Sequence, residues 1–510
     1  MIISTIRRLL LTAVLFPIVV VAYPLDGYEK TGIRRLDAAR LAVLGKVRGR
    51  KQPPGALLPN QYVDLRLLDF PDLELPAANR EFTAKIVKLL GADRKRYEVA
   101  VLDISDPSRL QYAEHRGDYR QNVGSVGKLL VALALFQTLA DIYPDDIEAR
   151  KAVLRDTRVT ADQFIKTDSH KVHIWDPVSR KLTIRRVRVG DQATLWEWLD
   201  WTMSASSNAA AAMLMKQVIL LKQYGKAYPV DDNESTRFFN DTPRKELSEF
   251  FLTTLIAPLS RNGLDSESFR QGSFFTHYGK KKIPGTSSLG TVRQLMLFLL
   301  RMEQGRIVDT FSSREIKRLL YMTERRIRYA ASPALADSAV YFKSGSLYQC
   351  KPEADFVCKK HQGNIRNYMS SVALIETPVA ENRINYMVTL MSNILYENAA
   401  VAHQTLGTRI HRIIEAMHPQ RDLLDDGAPN SANFGEHLIG YVEKRQQRMQ
   451  AVSIQMALKK LGYSIGDVDG KVGSKTRKAI KKFQSSEGLP INGKASESLL
   501  EKLNGVVDGQ

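Results

Sequence analysis

The 510-residue chain predicts an α+β fold: an antiparallel sheet flanked by helices, with an all-helical insertion, plus a small three-helix C-terminal domain. Three observations lead there. Val- and Leu-rich segments at Tyr97–Ile104 and Leu110–Glu114 flank the turn Asp106-Pro107-Ser108, as in a hairpin. Further strand-like segments stand at Ala339–Ser344, Met369–Glu376 and Ile384–Met391. Between the two groups the apolar residues recur at helical spacing. Two strands, a helical middle, three strands and a last helix place the first and last segments in one sheet.

A chain of this length exceeds one hydrophobic core, so two or three domains are expected. Residues 1–22 carry Arg7 and Arg8 ahead of the apolar run Leu9–Ala22, which is short for a bilayer span. Val20 and Ala22 suit the positions before a cleavage point, so a secretory signal peptide is expected, with a short uncleaved anchor as the alternative. Residues 23–80 form an N-terminal extension with a helix around Arg34–Leu44, broken at Pro53-Pro54-Gly55. The main domain is assigned to 81–420. It starts with a helix over Phe82–Leu90, whose Ile86, Leu89 and Leu90 share a face. Strand-like pieces occur at Val172–Ile174 and Leu182–Val187. Helices are expected over Thr194–Met203, Ala209–Leu221, Thr291–Gln304 with Thr291 as N-cap, and Asn398–Met417. Residues 421–448, rich in Asp, Gly, Pro, Asn and Ser at their start, read as a linker, and 449–505 as a separate small domain.

The net charge of +19 favours polyanionic surroundings. Export makes nucleic acid an unsuitable partner and leaves an acidic wall polymer or, if the N-terminal segment is uncleaved, a membrane. The only cysteines, Cys350 and Cys358, predict one local disulfide in an oxidising compartment. Closing so short a loop is worth about 2.5 kcal/mol on the chain-entropy estimate. No metal is expected: there is no His-x-x-x-His pair, and His170 and His173 stand in a strand-like stretch with no third ligand in view. No cofactor is implied.

The stretch on which the chain turns is Gly124-Ser125-Val126-Gly127-Lys128, followed by the apolar run Leu129–Leu139. Ser125 and Lys128 lie at i and i+3, on one side of a helix start. A serine hydroxyl needs an adjacent base to act as a nucleophile, and a lysine serves only when its pKa is lowered. Ser206-Ser207-Asn208 occupies a tight junction between helices. Lys343-Ser344-Gly345 ends a strand, where Gly345 admits another backbone.

In this order the three stretches resemble the motifs of the penicillin-recognising serine enzymes, a superfamily of class A β-lactamases and D,D-peptidases, over roughly Glu81–Pro419. The resemblance implies a β-lactamase/transpeptidase-like fold with Ser125 as the acylated nucleophile and Lys128 as its proton acceptor. It implies Ser206 as the relay to the leaving amine and Asn208 as partner of the substrate amide or of Lys128. Lys343 would hold the substrate carboxylate, with Ser344 and Gly345 beside it, and the backbone N–H groups of Ser125 and Ser346 would form the oxyanion hole. Ser207 stands where class A enzymes usually carry aspartate. The segment before Ile283-Pro284-Gly285 resembles the class A omega loop, yet no glutamate lies between Gln271 and Thr291. Counting back from that anchor lands at Thr276 and His277. His277 is an alternative base, and Arg366 a further group for a substrate carboxylate.

Leu461-Gly462-Tyr463, Val468-Asp469-Gly470 and Phe483-Gln484, with Gln455, Leu458, Gly473, Thr476 and Gly488-Leu489, are spaced as in the peptidoglycan-binding domain of wall hydrolases. Together the two resemblances imply a periplasmic or wall-associated serine hydrolase acting on peptidoglycan stem peptides. A β-lactamase, or an inactive wall-binding scaffold, is the alternative.

Overall fold

The computed structural model describes residues 27–43, 46–47, 53–58, 60–324, 326–379, 381–418, 450–451, 453–466 and 472–508. These belong to two compact units, one up to residue 418 and one from residue 450. The signal or anchor over 1–22, the linker 421–448 and the turn Asp469-Gly470 lie outside the described residues.

The first unit is built on five antiparallel strands: β1 Tyr97–Asp103, β2 Gln111–His115, β5 Ala339–Gln349, β6 Arg366–Thr377 and β7 Ile384–Asn393. Their order is β2-β1-β7-β6-β5. The first and last segments do meet: Val101 stands opposite Val388 and Tyr97 opposite Ser392. Every residue of β1 is buried, because helices cover both faces of the sheet. On one face Val99, Val101, Phe342 and Val388 pack with Phe82 and Ile86 of α2 (Arg80–Lys88) and with Leu406, Ile410 and Ile414 of α8 (Ala399–Met417). On the other lies α6 (Val292–Glu303), capped by the Thr291 hydroxyl on the Gln294 N–H and tied to β7 by Thr389.

The helical middle contains α3 (Lys128–Ile142), α4 (Leu195–Met203), α5 (Asn208–Tyr224) and, after α6, α7 (Thr310–Tyr321). α3 is buried without a break from Lys128 to Leu139, since it threads between α4, α5 and α7. The strand-like pieces form a hairpin of β3 (Val172–Asp176) and β4 (Lys181–Arg185). The segment after residue 26 is packed onto the same unit. In α1 (Arg34–Val43), Arg34 and Arg35 pair with Glu197 and Asp200 of α4. Arg66 meets the buried Glu376, and Lys317 lies between Glu303 at 2.8 Å and Glu376 at 2.7 Å. Burial alone would raise the Glu376 carboxyl; Arg66 and Lys317 hold it down at about 2.

One expectation needs correction. Lys343-Ser344-Gly345 does not end its strand: β5 continues to Gln349, and its pairing with β6 extends to Gln349 opposite Arg366. The disulfide Cys350–Cys358 closes the loop just beyond that point.

The second unit contains helices over 453–460, α9 (Ser474–Ser486) and α10 (Glu497–Asp508). Ile454, Leu458, Ile480, Phe483, Leu499 and Leu503 form its core, with Leu489 packed against it.

Candidate active site

Gly124–Gly127 forms a single 3-10 turn that runs into α3 at Lys128. Side chains at i and i+3 eclipse in such a turn, and Lys128 Nζ stands 2.8 Å from Ser125 Oγ. The turn is seated directly on β5. A Cβ at Gly345 would lie 2.0 Å from the Val123 carbonyl oxygen and 2.6 Å from the Ser125 nitrogen, so only glycine permits this approach. Gly124, at φ 55°, lies against Ser346: a Cβ there would be 3.0 Å from the Ser346 nitrogen. The backbones of Ser125 and Ser346 are thereby brought close together.

Ser206 and Asn208 come from the junction of α4 and α5. Asn208 Oδ1 accepts from Lys128 Nζ at 2.7 Å. Ser206 is held at φ 58°, an uncommon conformation for a non-glycine residue, and its Oγ accepts from Lys343 Nζ at 2.7 Å. Ser207, the helix cap, accepts the Ala210 N–H at 3.1 Å. The three stretches recognised in the sequence thus meet in two hydrogen-bonded groups, Ser125 with Lys128 and Asn208, and Ser206 with Lys343.

The site is rich in basic groups. Burial lowers the Lys128 ammonium to about 7, against the opposing pull of the Asp168 carboxylate. Burial, then the charges of Lys128 and Arg328, push Lys343 well below the ordinary lysine range. Arg328, from a short turn ahead of β5, is the group against that strand that sequence reasoning missed. Its guanidinium donates to Ser344 Oγ at 2.7 Å and Ser346 Oγ at 2.9 Å, and burial lowers it to about 10. Among the described residues it has no carboxylate partner. A neutral amine beside a hydroxyl can take its proton, and two adjacent basic groups with no counter-charge among the described residues can hold an anion.

The β-lactamase enzyme family matches residues 81–398 of this chain. The chain belongs to that family. A peptidoglycan-binding domain matches residues 448–503. No curated protein matches the chain. Among solved structures, a mutant of PBP-A captured as an acyl-enzyme complex with penicillin G is 13% identical, covering 67% of this chain and 100% of its own, with a TM-score of 0.42. A β-lactamase from Sphaerobacter thermophilus is 15% identical, with 67% and 98% covered and a TM-score of 0.43. One from Chitinophaga pinensis is 13% identical, with 66% and 100% covered and a TM-score of 0.43.

Within this family member, the segment compared with the omega loop is closed by the short pairing of Phe269-Arg270 with Leu289-Gly290. It brings no carboxylate to the site. Glu267 is outside the loop, two-thirds exposed and paired with Arg270 at 2.9 Å. Instead the Phe275 ring covers Lys128, with Nζ 4.2 Å from its centroid. His277, the alternative base, is exposed at the start of a short helix, and its backbone N–H donates to Thr167 Oγ1 at 3.1 Å. Arg366 lies over the Tyr368 ring instead of beside Lys343. Phe275 is one residue before the counted position, so the anchor found the right turn and missed the residue. For Arg328 the sequence held no signal: nothing in Ile327-Arg328-Tyr329 announces a guanidinium folded back onto the strand that follows.

Proposed function

We propose that this chain is an exported serine acyl-transfer enzyme of the D,D-carboxypeptidase or transpeptidase type, acting on peptidoglycan stem peptides. Ser125 Oγ attacks the D-alanyl carbonyl carbon while its proton passes to Lys128 Nζ. The carbonyl–nitrogen bond then breaks, and Ser206 delivers a proton to the departing amine, leaving an acyl-enzyme. The N–H groups of Ser125 and Ser346 stabilise the oxyanion. Lys343, with Ser344, Gly345 and Arg328, receives the terminal carboxylate.

The observation that carries the choice of substrate is the Phe275 ring over Lys128, in a loop that contains no carboxylate. A hydrolytic water there lacks a base, so an acyl-enzyme formed with a β-lactam should persist. The peptidoglycan-binding domain supports a wall polymer as the natural substrate, and the apolar N-terminus with a single disulfide supports export. The family match favours β-lactam hydrolysis as the second reading.

The test uses the purified chain, a fluorescent penicillin and a stem pentapeptide, with Ser125→Ala as control. Stable labelling that is lost in the variant, together with release of D-alanine, is the expected result. Rapid release of the label would establish β-lactamase activity, and no labelling of either form would leave a wall-binding scaffold.

A further inference from the structure

The middle residue of the second motif is Ser207, so that motif carries no carboxylate of its own. One is nevertheless present. Asp168, 39 residues upstream of Ser207 and nearly fully buried, places Oδ2 2.8 Å from Ser207 Oγ and 2.8 Å from the Ala209 nitrogen. Its Oδ1 accepts from the His170 N–H at 3.1 Å and contacts His170 Nδ1 at 2.6 Å. Both oxygens are therefore engaged, and the charge sits at the N-terminus of the seventeen-residue helix α5, where an anion is stabilised. Two strained residues bracket the contact. Thr167, β-branched, is held at φ 78°, and Ser206 at φ 58°. Thr167 is fixed in turn by the His277 N–H, which ties the segment to the loop bearing Phe275.

We propose that Asp168 is a positioning residue for acylation, supplying from a separate segment the carboxylate that fixes the Ser206-Ser207-Asn208 junction and faces Lys128. The inference rests on the acyl-transfer reading of Ser125 and Lys128. Through Ser207 and Ala209 it sets the first turn of α5, and so the direction of Asn208 Oδ1 toward Lys128 and of Ser206 Oγ toward Lys343. The ionisable groups facing this arrangement are His170 on the same segment, Lys128 on α3 and Lys343 on β5, with Arg328 beyond Lys343.

Three variants of the full chain separate this role from a structural one. Asp168→Ala should slow acylation by a fluorescent penicillin about 10- to 100-fold, the scale of loss when a catalytic group is misplaced by ~1 Å. Adding Ser207→Asp to it restores a carboxylate within the motif, at a position 2.8 Å from the missing oxygen, and should recover most of that loss. Asp168→Asn keeps an acceptor for the N–H of Ala209 but removes the charge. The Lys128 titration, followed by NMR of 13C-labelled lysine and assigned with Lys128→Arg, should then move to lower pH, because the anion that favours the ammonium is gone. An unchanged acylation rate in Asp168→Ala, no recovery in the double variant, or an unmoved Lys128 titration in Asp168→Asn would each overturn the proposal. If the wild-type chain never acylates, the acyl-transfer reading fails, while the lysine titration still decides whether Asp168 acts on Lys128.

Discussion

The sharpest consequence of the site concerns pH. If Lys128 accepts the proton of Ser125, acylation requires its neutral form. Burial sets the group at about 7. A base with that pKa is ~10% neutral at pH 6 and ~90% neutral at pH 8, so acylation should accelerate about tenfold between them. The assay is the single-turnover rate of penicillin labelling of the wild-type chain at saturating ligand, so that carboxylate capture by Lys343 does not limit it. Ser125→Ala supplies the background. A rate that is flat from pH 6 to 8, or one that rises only above pH 9, would refute Lys128 as the base. The same group has a signature in stability that needs no substrate. Its folded value lies below the unfolded one near 10.4, so between about pH 7 and 10 the unfolded chain binds more protons. The Lys128 contribution to stability therefore rises with pH across that window, with a slope of at most ~1.4 kcal/mol per unit. Below it, the full cost of a buried ammonium is present in the folded state.

Other substitutions probe the remaining parts. Phe275→Glu places a carboxylate beside Lys128, and should shorten the lifetime of the penicillin acyl-enzyme by roughly 10²–10⁴-fold, the usual worth of a general base; an unchanged lifetime in a variant that still acylates would count against the missing-base argument. Gly345→Ala forces a methyl to within 2.0 Å of the Val123 carbonyl and should part β5 from the Ser125 turn. Acylation should be lost, with a stability loss of about 1–3 kcal/mol by denaturant titration, the cost of overpacking. Lys317→Met leaves Glu303 and Glu376 buried with only Arg66 to answer them, and should destabilise the chain by about 3–5 kcal/mol while leaving the site residues chemically intact.

What the sequence disclosed divides along a physical line. Strand and helix periodicity located the elements of the sheet, since each segment buries a face whose pattern is local. Thr291 and Val292 announced a capped helix for the same reason. The pairs Ser125–Lys128 and Ser206–Asn208 were legible because each sits within one turn of chain, and Gly345 because a missing side chain is itself a mark. The strand end at Gly345 was misjudged. Nothing in Ser346-Leu347-Tyr348-Gln349 alone shows that β6 runs alongside and keeps β5 paired to Gln349. Asp168, Arg328 and Phe275 were hidden for a deeper reason: each acts on a residue far along the chain, through a turn whose conformation is set by tertiary packing. Two of the three lie at or beside a positive-φ residue, at Arg328 itself and at Thr167, where local preference is overruled.

On the acyl-transfer reading, the two lysines of the site have two different tasks. Both are buried, and burial lowers both. Lys128 has a carboxylate in range, Asp168, which limits the fall and leaves it near 7, where an amine is an effective proton acceptor. Among the described residues the charges acting on Lys343 are the cations Lys128 and Arg328, and it is pushed further down. The charge that would restore its ammonium form is an anion that no described residue provides at β5. On the proposed acyl-transfer reading, a substrate carboxylate would meet that need at Lys343 and Arg328, while Lys128 would take the proton of Ser125. Separating the environments of two like groups is what assigns acid, base and binding roles. Here the separation comes from Asp168 near Lys128 and from the cations Lys128 and Arg328 near Lys343, with Asp168 and Arg328 both contributed from outside the three motifs.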